Sequence, residues 1–315
     1  MPDAKQMKQV PRRALLALPA LAAAAAGQAR PSPSKGPRLS VRVEPLFPAL
    51  KLPEQLERVA AAGYQGFEFG EWRAQDAAKI TALKNRLGLE CVCLVGNRSV
   101  NPKGMGLCDP AEREGFLAEI RASVDAAKRF ESSKLVVLSG FKVPHLSREQ
   151  QHASIVEGLK QAGEVAAKAN VTLIVEVINT LAKVEPLNPN GNNHADYYLD
   201  RTTEAVEILE KVKSPYVKLL YDIYHAQIME GNLIETVKEQ ARHIAHIHVG
   251  DVPLRHEPGT GEIHFANVFR AIFSSGFPGY LGMEYIPVAD AMKTLADVKR
   301  LAEDAFATAS KLTTQ

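Results

Sequence analysis

From residue 38 onward the chain alternates two patterns of apolar positions. Short, nearly continuous apolar runs recur, and between them lie longer stretches with apolar residues three and four apart. Continuous runs of four to six residues suit strands buried on both faces, and the spaced stretches suit amphipathic helices. The pattern predicts strands at 39–43, 66–69, 90–94, 134–138, 172–176, 217–222, 244–248 and 280–284. Helices are predicted at 52–62, 75–87, 110–130, 147–169, 202–213, 234–241, 265–275 and 289–311. Helix ends carry their usual punctuation, with Gly63 closing the first and Gly276 the seventh. Eight strands alternating with helices predict a single (β/α)8 TIM barrel of the α/β class over residues 38–315. No glycine-rich phosphate loop follows the first strand, which weighs against an open doubly wound sheet.

Composition changes this picture little. The chain is 46% hydrophobic, 23% charged and 6% aromatic, with a formal net charge of +2. There is no basic excess to bind a nucleic-acid backbone, so the expected partner is a small molecule.

Residues 1–29 stand apart. Lys5, Lys8, Arg12 and Arg13 precede a short apolar, alanine-rich run that ends in Gly27-Gln28-Ala29. A basic start, a short apolar centre and small residues at a cleavage position read as an export signal. The run is too short for stable membrane insertion. Adjacent Arg12 and Arg13 look like a twin-arginine signal, although Pro11 and Ala14 depart from the fuller pattern. The expected location is therefore the periplasm, or the cytoplasm if the leader does not function. Residues 30–37, rich in proline and serine, read as a linker.

The three cysteines, Cys91, Cys93 and Cys108, are an odd set. Cys91 and Cys93, two apart on a predicted strand, are expected to point to one face. Two readings stay open, buried free thiols or one bridge to Cys108 in an oxidising compartment. No Cys-x-x-Cys spacing suggests a thiolate zinc site.

Candidate chemistry gathers at the ends of the last four strands, which a parallel barrel brings to its working face. They end in Glu176, Asp222, His248 and Glu284. Singly, each has a bland reading, since a carboxylate after a strand often caps the next helix and a histidine in an apolar strand is often a satisfied core residue. Four in succession point to a site. Three carboxylates and one imidazole form a hard donor set for Mg2+, Mn2+ or Co2+ that also accepts Zn2+. A divalent metal so held acts as a Lewis acid on an α-hydroxycarbonyl compound and stabilises the enediolate formed by proton loss. A carboxylate on each side of the substrate then serves as base and acid.

The motifs around these residues are Glu176-Val177-Ile178-Asn179, Asp222-Ile223-Tyr224-His225 with Gln227 and Gly231, and His246-Ile247-His248. Further on come the run from Arg255 through Gly259 and Gly261 to Glu262, and Gly279-Tyr280-Leu281-Gly282-Met283-Glu284. In these the chain resembles the hydroxypyruvate isomerase branch of the xylose isomerase-like barrels, close to the ketose 3-epimerases, over about residues 39–310. The resemblance implies that Glu176, Asp222, His248 and Glu284 bind the metal, with Glu176 and Glu284 doubling as the catalytic acid/base pair. It implies a substrate-binding group of His225, Arg255, His256 and Glu262, with Glu262 orienting the loop or His256. Glu68, which ends the second strand, is a further candidate for lining the pocket, as are Glu71 and Trp72. Asn97 and Arg98 are candidates for substrate contact, and His145, His194 and His264 read as surface or loop residues.

The chain departs from the isomerases at Val177, where they usually carry proline, and at His248, where they often carry glutamine and the epimerases carry histidine. The long loop after the fifth strand, with its polar run at 188–198, is a third departure. These bear on substrate more than on reaction type. The expected activity is isomerisation of a small hydroxycarbonyl acid or sugar, typified by hydroxypyruvate to tartronate semialdehyde. The alternatives are a 3-epimerase or lyase-type enzyme on the same site, or an exported, non-catalytic sugar-binding barrel. A multi-zinc endonuclease would need more ligands on the early strands and a basic groove. Barrels of this family are often homo-oligomers, although no periodic feature of the chain shows it.

Overall fold

The computed structural model describes residues 36–97, 106–183, 186–187 and 194–312. The expected leader at 1–29, most of the linker at 30–37, Arg98 and most of the 188–198 run lie outside the described residues.

Eight strands pair in parallel in chain order and close β8 against β1. They are β1 (Leu39–Arg42), β2 (Gly66–Phe69), β3 (Glu90–Val95), β4 (Lys134–Leu138), β5 (Thr172–Glu176), β6 (Val217–Asp222), β7 (Ile244–Val249) and β8 (Leu281–Met283). Around them lie α1 (Val43–Leu46), α2 (Leu52–Ala61), α3 (Ala77–Leu87), α4 (Arg113–Phe130) and α5 (Arg148–Lys168). The circuit continues with α6 (Thr202–Val212), α7 (Ile223–Met229), α8 (Leu233–Gln240), α9 (Phe265–Ser274) and α10 (Ala291–Leu312). No helix among the described residues is long and apolar enough to cross a membrane.

Local chemistry explains the boundaries. Ser147 opens α5 with a capping box: its hydroxyl accepts from the Gln150 N–H at 3.2 Å, and the Gln150 side chain accepts from the Ser147 N–H at 2.8 Å. Gly88 ends α3 in the left-handed conformation at φ 69°. The sequence pattern misses α7. That helix spans only seven residues and buries Ile223, Tyr224, His225, Ala226 and Met229, so no polar stripe marks it.

Two register shifts decide what faces the barrel interior. Adjacent Phe67 and Glu68 pair with Cys91 and Cys93, leaving Val92 as an extra residue in β3. Likewise Leu219 and Leu220 pair with Ile244 and His246, leaving Ala245 extra in β7. Each bulge resets the alternation of side chains. Cys91 therefore packs with the outer core around Phe67, while Cys93 joins an inner cluster with Val136, Ile174 and Leu220. The expectation that both cysteines share a face is corrected by this bulge. All three cysteines are buried free thiols.

The interior is apolar on one side and polar on the other. Val136, Leu138, Ile174 and Leu220 fill the β4–β6 side. Ser40, Glu68, Cys93 and His246 fill the β1–β3 and β7 side, all at 0% exposure. Gly282 makes room for them, because a Cβ there would lie 2.3 Å from Glu68 Oε1 and 2.8 Å from His246 Nε2.

Candidate metal centre and active site

Glu176, Asp222 and His248 sit at or near the carboxyl ends of β5, β6 and β7, and Glu284 follows β8 directly. Parallel register brings them to one level, with Asp222 opposite His248 and His248 opposite Gly282. One potential ligand atom from each of the four lies within 4.8 Å of the others. His248 Nδ1 is 2.7 Å from Glu284 Oε2, 3.4 Å from Glu176 Oε1 and 3.9 Å from Asp222 Oδ2.

Those carboxylates lie around Nδ1 without a hydrogen bond to it, and a buried nitrogen without a partner marks a place for a further group. The charge balance points the same way. Burial alone would lower the His248 pKa, yet Glu284 and then Glu68 hold it well above its ordinary value. Glu176 and Asp222 are both pushed upward, chiefly by burial and further by the neighbouring Glu284. Glu284 is lowered instead: burial works against it, but His248 and then Arg255 outweigh that. The cluster carries surplus negative charge that a divalent cation would neutralise, and three carboxylates with one imidazole suit such an ion.

Arg255 crosses this cluster. Its Nη2 donates to Asp222 Oδ2 at 2.5 Å and Glu284 Oε2 at 2.6 Å, and its Nη1 lies 3.0 Å from His225 Nε2. Leu254 and Arg255 both have positive φ, 70° and 57°. Non-glycine residues hold that conformation at a cost of about 1–3 kcal/mol each. The strained turn buries Arg255 among the carboxylates and leaves Leu254 exposed.

A knot of hydrogen bonds holds the loop. Asp251 is fully buried and accepts from the N–H groups of Val252, Gly259, Gly261 and Ile263 at 2.8, 2.9, 3.0 and 3.2 Å. Glu257 accepts from the Val288 N–H at 2.9 Å and so ties the loop to the segment after β8.

The remaining expected residues divide. His225 is in the site: its Nδ1 accepts from the Asn179 N–H at 3.2 Å while its other nitrogen faces Arg255. His256 does not face the cluster, since its Nδ1–H donates to the Ile286 carbonyl at 2.7 Å and serves as a prop for the loop. Glu262 is exposed and accepts from Gln227 Nε2 at 3.2 Å, which joins the loop to α7. Glu68 is not at the pocket surface. It is fully buried beneath His248 with both oxygens engaged.

Asn97, expected as a substrate contact, instead clamps β3 to β4 through both bonds to the Leu138 backbone at 2.9 Å. Trp72 is buried, with its indole N–H on the Val95 carbonyl at 3.0 Å. Glu71 lines a cleft of about 540 Å³ with Glu44, Lys51 and Phe69, and none of the four clustered side chains borders it. His145 and His264 are exposed as expected, but His194 is buried.

Three contributors were not singled out from the sequence. Arg42 ends β1 and pairs with Glu44 at 2.9 Å. Its pKa is raised by Glu44 and then Glu284 against the effect of burial, which marks it as a cation on the same side of the barrel. Reading the end of β1 as the later strand ends were read would have found it. Asn179 was visible only as the last member of its motif, and Asp251 only as one polar residue among many.

With this geometry in place, comparison with known proteins is informative. The family described as the xylose isomerase-like TIM barrel matches residues 56–303. Hydroxypyruvate isomerase of Escherichia coli (strain K12) is 30% identical over 257 residues, covering 79% of this chain and 93% of that protein. The 2-oxo-tetronate isomerase of Cupriavidus necator is 26% identical over 256 residues, covering 80% and 94%. Among solved structures, an AP endonuclease, family 2, from Brucella melitensis superposes with a TM-score of 0.73 at 26% identity, covering 84% of this chain and 98% of that one.

Proposed function

The chain belongs to the xylose isomerase-like TIM barrel family and is an isomerase, and from that premise we propose that it is a divalent-metal-dependent isomerase of a small α-hydroxycarbonyl acid, hydroxypyruvate being the leading candidate. The observation that carries this reading is the convergence within 4.8 Å of one potential ligand atom each from Glu176, Asp222, His248 and Glu284. Two of the named relatives act on small oxo acids, which supports an acid over a neutral sugar.

Glu176, Asp222, His248 and Glu284 would hold the ion. When bound, the metal supplies Lewis-acid polarisation of the substrate carbonyl and its neighbouring hydroxyl. The chain's own residues move the proton. Glu284, whose pKa His248 and Arg255 lower against the effect of burial, takes the proton from the hydroxyl-bearing carbon, and the electron pair of that C–H bond passes into the enediolate double bond. Glu176, whose pKa burial raises, returns a proton to the former carbonyl carbon, the hydroxyl proton passes to the other oxygen, and proton exchange with solvent after product release resets the two carboxyl groups. Two carboxylates with pKa values pushed apart suit an acid and a base. Arg255 and His225 contact the substrate oxygens, and the loop tied by Asp251 keeps them in place.

Purified protein with Mn2+ or Mg2+ in D2O and hydroxypyruvate tests the proposal. Solvent deuterium should enter the carbon next to the carbonyl, and Glu284→Gln should lower that exchange at least about 10³-fold while keeping measurable metal binding. Unchanged turnover in the variant would refute the assignment. Exchange confined to C3 of ketoses would place the same residues in an epimerase. Binding without exchange of any α-hydroxycarbonyl compound would make the chain a binding barrel.

A further inference from the structure

Beneath the carboxylate cluster lies a second layer with no role in the proton transfer. Glu68, at 0% exposure at the centre of this floor, has each oxygen occupied. Oε1 accepts from the Ser40 hydroxyl at 2.5 Å and lies 3.0 Å from His246 Nε2. Oε2 lies 2.9 Å from His248 Nε2 and accepts from Cys93 Sγ at 3.2 Å. The His246 and His248 rings stand nearly perpendicular, 5.0 Å between centroids.

We propose that Glu68 is a positioning residue for the metal centre: its carboxylate takes the Nε2–H of His248, fixes the ring, and so aims the Nδ1 lone pair at the point where Glu176, Asp222 and Glu284 converge. The inference rests on the metal-centre reading given above. An imidazole has two nitrogens, and either can hold a metal. The partner of the far nitrogen decides which one does, fixes the ring and raises its basicity. Here the far nitrogen meets a buried carboxylate, and the near one makes no hydrogen bond and faces only the carboxylates of the cluster. His248 is 2% exposed and cannot take its second hydrogen bond from bulk water.

Glu68, Cys93, His246 and His248 also bring donor atoms within 4.8 Å of one another, and so form a candidate cation site in their own right. Two observations favour a hydrogen-bonded prop instead. Both Glu68 oxygens already accept hydrogen bonds, and the backbone of Gly282 presses so close that even a methyl group would lie 2.3 Å from Oε1. A cation on the floor would also compete for the His248 nitrogen that Glu68 holds.

Co2+ binding separates these cases without relying on turnover. Titration calorimetry and the visible Co2+ spectrum are measured for the full chain, for Glu68→Gln, for His248→Ala and for the double variant. The expected result is one equivalent of Co2+ per chain, with affinity about 10–100-fold weaker and an altered spectrum in Glu68→Gln. In the His248→Ala background the second substitution should change affinity by less than about twofold, because Glu68 acts through that ring. An unchanged affinity and spectrum in Glu68→Gln would overturn the proposal, and so would an equal loss in both backgrounds, which marks a general structural effect. Two equivalents in the wild type, with one lost in Glu68→Gln, would make Glu68 a ligand and overturn it too. Failure of the wild type to bind any cation would sink the metal-centre reading itself. If Glu68→Gln does not fold, nitrogen NMR of Zn2+-loaded wild type decides: a proton on His248 Nε2 is expected, and a ring metallated through Nε2 would refute the assignment.

Discussion

Glu176 and Glu284 carry the same functional group, reach toward the same imidazole, and respond to opposite surroundings. Burial and Glu284 raise the Glu176 pKa, while His248 and Arg255 pull Glu284 down. A carboxyl raised on folding adds stability below its unfolded pKa and loses that contribution as pH rises through its folded one. Metal-free Glu176→Gln should therefore melt higher than the metal-free wild type, by about 2–4 °C for each kcal/mol of repulsion removed, with a gain that grows as pH rises above the ordinary carboxylate range. Melting curves of the two proteins at several pH values check this, and a gain that shrinks with rising pH would contradict it. Arg255 gives a second expectation. Its guanidinium spans Asp222, Glu284 and His225 at once, and a lysine ammonium lacks that planar fork. Losing one or two charge-assisted bonds of about 1.5–3 kcal/mol should lower kcat/KM of Arg255→Lys by about 10–100-fold. Steady-state kinetics that match the wild type would remove Arg255 from the site.

At the level of elements, Gly282 is the clearest case of a residue fixed by its opposite neighbour. Gly282→Ala drives a methyl group into Glu68 and His246, and the displacement should cost about 1–3 kcal/mol in urea denaturation. A loss within experimental error would mean the floor has slack. The strands and most helices were legible because buried parallel strands and amphipathic helices leave different periods. The order of the four main site residues was legible too, because a barrel brings strand ends together whatever the detail. The bulges at Val92 and Ala245 were not legible, since nothing in an apolar run marks one residue as extra. Nor was the depth of Glu68: a strand-end carboxylate looks the same from sequence whether it lines a pocket or supports a ring from below. The tie of one His256 nitrogen to the Ile286 carbonyl was hidden for a related reason, because only the fold brings the two together.

For the whole molecule, an ion held as proposed by the ends of four consecutive strands would tie half of the barrel together. A ligand that binds only the folded state stabilises it by RT ln(1 + [L]/Kd), about 2.7 kcal/mol at 100 Kd. Mn2+ at that excess should raise Tm by roughly 5–10 °C, and EDTA should reverse the rise. Glu284→Gln should lose most of the increment, whereas a shift that survives in the Glu176→Gln/Glu284→Gln double variant would place the ion elsewhere. The leader at 1–29 belongs to this scale as well. We propose export by the twin-arginine route from Arg12, Arg13 and the apolar run that follows them.

The extra residue Ala245 has a consequence for descent as well as for geometry. The bulge sets it outside the alternation, so that Ile244 before it faces out while His246 and His248 after it face inward, and the presence of the site depends on how the strand seats its residues as much as on which ones. A lineage that dropped Ala245 would keep a regular strand with Ile244 facing out and both histidines facing in, whereas one that kept Ala245 but paired it in regular register would turn the two rings toward the surrounding helices. In that second lineage the histidine motif would still be there to read in the sequence, with no centre left for it to serve.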